Sequence, residues 1–136
     1  NKDMGVSMNV FAKLVRMCGG DALHIGTFGV GKMTGSTKED IANQQACIGR
    51  DVPYKEVLPV CSGGMHPGLV EKLVEIAGTN IQIQAGGGVA GHPGGVRKGA
   101  MALSQAVDAA YEKIPASEYR KTHVELDQAL SKWGSA

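Results

Sequence analysis

The chain has 136 residues, with 14 Lys plus Arg against 13 Asp plus Glu and a formal net charge of +1. So even a balance argues against a general electrostatic nucleic-acid binder, which carries a strongly basic face, while leaving a local anion site open. With 43% hydrophobic residues and 20 glycines at specific places, the chain is not a disordered one, and it holds no apolar run of about 18 residues that would imply a membrane partner. Cys18, Cys47 and Cys61 are an odd set without CxxC spacing, which reads as packing residues of a reduced, cytoplasmic protein.

Val6, Val10, Phe11, Leu14, Val15 and Cys18 recur at helical spacing, with Lys13 and Arg16 off that face, and Gly19-Gly20 stops the helix. Ala22-Leu23-His24-Ile25 then reads as a buried strand ending in Gly26-Thr27. Phe28 to Ser36 holds Gly29, Gly31 and Gly35 around Lys32, too much glycine for a helix or strand interior, and reads as a mobile loop. Thr37 to Ile48 is expected to be helical, with Thr37 as cap and Asp40 as first-turn acid.

The plan then repeats. Glu56 to Cys61 is a strand, although Pro59 counts against it, and it ends in Ser62-Gly63-Gly64. A helix runs from Pro67 to Ala77. Ile81 to Gln84 is a third strand, closed by Gly86-Gly87-Gly88 and followed by a helix over Gly95 to Glu112. Its Ala100, Ala102, Ala106, Ala109 and Ala110 suit close packing on a sheet. A last helix over Ala116 to Lys132 sets Glu118 and Lys121 at helical spacing.

Three successive strand–glycine loop–helix units predict an α/β protein with parallel strands. Short strands in compact units favour a (β/α)8 barrel over a flavodoxin-like open sheet. Three units cannot close eight strands, so residues 1–136 read as the C-terminal portion of a barrel domain, about strands 6 to 8, plus a C-terminal helix.

In such a barrel the site lies at the C-terminal strand ends: His24 to Thr27, Ser62 to Gly64, and Gly86 to Gly88. Glycine lets backbone N–H groups face an anion, and a helix N-terminus behind the turn adds partial positive charge. Each residue also has a plain reading. Gly86 to Gly88 could be a tight turn, Ser62 a turn serine, His24 a core histidine and Lys32 a solvated loop lysine. The sharper reading closes Lys32 over a substrate to stabilise developing negative charge. His66, His92 and His123 show no metal spacing, and Asp21, Asp40 and Asp51 form no acid pair.

Taken together these strings resemble the large subunit of ribulose-1,5-bisphosphate carboxylase/oxygenase (RuBisCO). Ala22-Leu23-His24-Ile25-Gly26-Thr27 with Gly31-Lys32-Met33 resembles the family's sixth strand and loop six. Leu58 to His66 resembles its seventh strand, and Gln84 to Pro93 its eighth strand and phosphate loop. The tail, Glu118 to His123 and Leu130 to Gly134, is similar to archaeal-type form III or form II/III members.

The resemblance implies a carboxy-lyase acting on ribulose 1,5-bisphosphate with CO2 or O2, yielding 3-phosphoglycerate, in form III relatives within AMP and nucleotide salvage. Lys32 would be catalytic, stabilising the transition state for CO2 or O2 addition. His24, Ser62, Gly63 and Gly64 would bind substrate at one end, and Gly86 and Gly87 would offer N–H groups to the other phosphate. The cofactor would be Mg2+, held upstream by a carbamylated lysine and two acidic residues, with no metal ligand in this chain. The assembly would be a homo-oligomer of dimers. Thr34 departs from the glutamate many members carry after the loop lysine. The alternatives are a RuBisCO-like enolase or isomerase and a non-catalytic phosphate-binding fragment.

Overall fold

The hydrophobic pattern resolves into three βα units in a computed structural model that describes residues 5–33, 35–50 and 53–136. Thr34 and Asp51 lie outside the described residues. In chain order the elements are α1 (Met8–Met17), β1 (Ala22–His24), α2 (Thr37–Ile48), β2 (Leu58–Ser62), a 3-10 turn (Pro67–Leu69) leading into α3 (Val70–Ala77), β3 (Gln82–Gln84), α4 (Gly86–Ala90), α5 (Val96–Glu112), α6 (Ala116–Tyr119) and α7 (Val124–Trp133). The strands form one parallel sheet in the order β1-β2-β3. That is the partial barrel expected of the sequence.

Pro59 does not break β2. The β3 ladder begins opposite Val60, one residue later, and β1 is met through Leu58 N–H and the Val60 carbonyl. The missing proline N–H therefore falls where no ladder partner waits.

Strand side chains alternate between faces. In register, Leu23, Pro59, Cys61 and Ile83 share the face packed by helices, where Cys61, Cys47, Leu73, Val57 and Phe28 form the main core. His24, Val60, Ser62, Gln82 and Gln84 share the other face, on which His24, Gln82 and Gln84 are exposed. Burial pushes the Cys61 thiol up to about 12, with Asp40 adding to the effect, so it behaves as an apolar packing group. Cys18, by contrast, is exposed.

The structure differs from the sequence reading at five helices. On α1 the apolar face is turned outward: Val10, Phe11 and Leu14 are about half exposed, while Ala12 and Arg16 are buried. Arg16 reaches across to α2 and donates to the carbonyls of Gly49 (2.7 Å), Tyr54 (2.8 Å) and Lys55 (3.1 Å), which is why a guanidinium tolerates that position. The cap of α2 is Ser36, one residue before the expected Thr37, in a capping box with Glu39. Asp40 is a first-turn acid of α2, as expected, and is also buried, on the face it shares with Asn43, Gln44 and Cys47.

Gly86 to Gly88, expected as a turn, open the short helix α4, since glycines without side chains pack close: a Cβ on Gly88 would strike the backbone of Met65 and His66. Ala102, Ala106 and Ala109 of α5 are buried, but the helix packs on α3, α4 and α7, and Ala100 is exposed. The expected last helix is two, α6 and α7, separated by a turn after Tyr119. Glu118 and Lys121 still pair, at 2.6 Å. Among the described residues no helix is long and apolar enough to cross a membrane.

Candidate functional site

The three strand ends converge on a cavity of about 790 Å3 lined by His24, Lys32, Ser62, Gly63, Gly64, His66, Gly86, Gly87 and Trp133. All seven residues singled out as catalytic or substrate-binding line it.

At one end, His24 and Ser62 occupy the same sheet face at the ends of β1 and β2. Ser62 Oγ lies 2.8 Å from His24 Nδ1. If the ring donates, the serine hydrogen is free for an anion; if the hydroxyl donates, the other ring nitrogen carries a proton outward. Either arrangement offers a donor to the cavity. His24 is exposed, so the core-histidine reading does not hold.

The loop after β1 is docked over β2. Phe28 is buried and left-handed (φ 54°), a costly conformation for a non-glycine residue. Its N–H donates to Asp40 Oδ2 at 2.7 Å and its carbonyl accepts from Thr37 Oγ1 at 2.9 Å, which hold it there. Burial holds the Asp40 carboxyl above its ordinary value, against the lowering effect of the Phe28 and Thr27 N–H groups. Further along, Gly31 N–H donates to Thr27 Oγ1 (3.2 Å) and Lys32 N–H to the Gly63 carbonyl (2.8 Å). The Lys32 side chain lies across Gly64, where an added Cβ would meet its Cγ at 2.5 Å. Gly64 (φ 73°) and Gly63 (φ 112°) are both in the region that favours glycine. Among the described residues Lys32 has no carboxylate partner, so its ammonium is available to an anion.

At the far end, Gly86 and Gly87 are the first two residues of α4. Their N–H groups have no acceptor within the helix. Nothing lies within 4 Å of a Cβ added at either, so the space beside them is open. The cavity thus holds a cation and two sets of hydrogen-bond donors, suited to a ligand with an anionic group at each end.

His66 and Trp133 are among the cavity residues not picked out from sequence. His66 was considered only as a metal ligand, and Trp133 sits in the last helix, far along the chain. No local spacing announces either. His92 and His123 serve the fold: His92 Nε2 donates to the Glu125 carbonyl (2.9 Å), and His123 stacks on Tyr119 at 3.9 Å. Among the described residues no group of three or more His, Cys, Asp or Glu side chains could hold a metal ion.

Comparison with known proteins gives a consistent picture. Residues 1–133 match the family model for the ribulose bisphosphate carboxylase large chain, catalytic domain. A ribulose bisphosphate carboxylase of Pyrococcus furiosus is 46% identical over 134 residues, covering 98% of this chain and 32% of that relative. The crystal structure of the octameric RuBisCO of Pyrococcus horikoshii superposes with a TM-score of 0.88 at 43% identity, covering 93% of this chain and 30% of that one. A RuBisCO-like protein of Alicyclobacillus acidocaldarius superposes with a TM-score of 0.85 at 34% identity, covering 94% and 32%. The chain thus spans about a third of the length of the relatives it matches.

Proposed function

The chain belongs to the ribulose bisphosphate carboxylase large-chain family, and from that premise we propose that the protein it forms part of carboxylates ribulose 1,5-bisphosphate and cleaves the product to 3-phosphoglycerate. The observation that carries this reading is Lys32, laid over Gly64 in one cavity with the His24–Ser62 pair and the Gly86–Gly87 amides. A bisphosphate spanning the cavity would place its reacting carbons beneath the ammonium. When CO2 adds to the enediolate, a new carboxylate forms, and O2 addition likewise develops negative charge. A positioned cation stabilises such charge most where water is excluded.

His24, Ser62, Gly63 and Gly64 would hold one phosphate end, and Gly86 and Gly87 the other. The Mg2+ that the family resemblance implies has no ligand set among the described residues. It would be held by a carbamylated lysine and two acidic residues in another part of the protein, and the roles assigned to this chain do not run through it. The exposed apolar face of α1, together with β1 and β3 each pairing only with β2 among the described residues, forms the surface on which further barrel strands and helices would pack. A chain of this extent alone is expected to fix no CO2. Assembly as an oligomer of dimers, a cytoplasmic location and a place in nucleotide salvage belong to the same reading.

A RuBisCO-like enolase or isomerase is the second reading, supported by the fold match to such a protein. Lys32, His24 and Ser62 standing together in one cavity favour the carboxylase. In the full-length protein, Lys32→Ala should lower carboxylation by about 10²–10³-fold or more, as loss of a transition-state partner does. Binding of the bisphosphate should persist. Unaltered turnover would remove the role given to Lys32.

A further inference from the structure

The cavity that holds Lys32 and the Gly86–Gly87 amides is also walled by His66, which none of the roles above employs. The imidazole is stacked on one side and close-packed at its base. It stacks on Trp133 with ring centroids 5.6 Å apart and an interplanar angle of 20°. Gly88 passes so close that an added Cβ would lie 2.9 Å from the His66 Cβ. A ring stacked in this way has its orientation biased before any ligand arrives.

Its two nitrogens stand in different surroundings. Nδ1 is sealed from solvent and has no hydrogen-bond partner. A doubly protonated ring would bury an N–H there without an acceptor, and buried orphan N–H groups are rarer than unpaired acceptors. Burial, with the Lys32 charge adding to it, accordingly holds the imidazole below its ordinary pKa. The neutral tautomer that leaves Nδ1 bare carries its proton on Nε2. That nitrogen has no partner among the described residues.

We propose that His66 is a further substrate-binding residue, presenting Nε2–H as a neutral donor to an oxygen of the phosphate held by the Gly86–Gly87 amides. A neutral donor adds a hydrogen bond without setting a second positive charge against Lys32. The assignment rests on the bisphosphate reading of the cavity and adds to it a residue outside the glycine turns.

The test uses the full-length protein with two probes, ribulose 1,5-bisphosphate and inorganic phosphate. His66→Phe keeps the stack on Trp133 and removes both nitrogens. His66→Asn is too short to reach, and gives the same readout if the phenylalanine variant does not fold. Both should raise KM for the bisphosphate and the inhibition constant of inorganic phosphate by about 10- to 100-fold, the range for a hydrogen bond to a charged group. The kcat should change little. His66→Gln, which keeps a donor at similar reach, should recover most of the affinity.

Unchanged KM and phosphate inhibition in His66→Phe and His66→Asn would show that the ring only packs on Trp133, and would overturn the assignment. So would a fall confined to kcat, or a glutamine variant no better than phenylalanine. These outcomes are distinct from failure of the functional reading. A wild-type protein that binds phosphate but does not turn over the bisphosphate sinks the carboxylase and leaves His66 to be judged on phosphate binding. One that binds neither probe sinks both.

Discussion

Gly64→Ala asks whether the backbone at the end of β2 places the lysine. Gly64 sits at φ 73°, where an alanine costs about 1–2 kcal/mol. The added Cβ would fall 2.5 Å from Lys32 Cγ and 2.8 Å from Cδ. These atoms belong to a flexible side chain, so the overlap is relieved by swinging Lys32 aside rather than by moving a strand. A displacement of about 1 Å at a reacting group can cost about 10²-fold in rate. In the full-length protein, Gly64→Ala should therefore lower kcat for CO2 fixation about 100-fold and reduce unfolding free energy by only about 1–2 kcal/mol. The companion change, Gly86→Ala, meets no atom within 4 Å. It should leave stability intact or slightly improved, since glycine is unfavourable in a helix, while its methyl group enters the ligand space and raises KM. Labelled-bicarbonate fixation and thermal unfolding of both variants check this. A Gly64→Ala enzyme with wild-type kcat would refute the link between that glycine and Lys32.

Two further outcomes concern the scaffold. Asp40 is buried and its folded carboxyl titrates above the ordinary 3.8. A raised pKa means the folded state holds the proton more tightly, so the stabilisation from this group is full below about 3.8 and is lost as pH rises through the folded value. Denaturation of wild type and Asp40→Asn across that interval should show the wild type losing stability relative to the variant as pH rises; a constant difference would contradict it. Arg16→Met should cost about 3 kcal/mol or more, because the carbonyls of Gly49, Tyr54 and Lys55 lose a buried donor. A thermal midpoint equal to wild type would show that water replaces the guanidinium.

Much of the fold is local and was legible. The three βα units followed from apolar runs closed by glycine clusters, because strand and helix periods and glycine stops act over a few residues. The bounds of α2 fell at Thr37–Ile48 as expected. Errors came where a distant neighbour decided. The outward-facing apolar side of α1 and the buried Arg16 depend on where α2 lies. The cap of α2 is Ser36 rather than Thr37, set by its reciprocal bonds with Glu39, while the Thr37 hydroxyl is turned to the Phe28 carbonyl nine residues back. The break before α7 lets Arg120 pair with Asp127 at 2.7 Å, where one continuous helix would hold them two turns apart.

The sequence by itself determined the strand–glycine–helix order and the residues at the three strand ends, since turn chemistry and side-chain alternation are properties of short segments. With the family resemblance it also pointed to Lys32, His24, Ser62 and the glycine pairs. Tertiary structure alone decided how those ends meet: Ser62 bonded to His24, Lys32 laid over Gly64, and the His66 ring stacked on Trp133. Those relations join positions tens of residues apart, and only the parallel register of β1, β2 and β3 with the return of α7 brings them into one cavity.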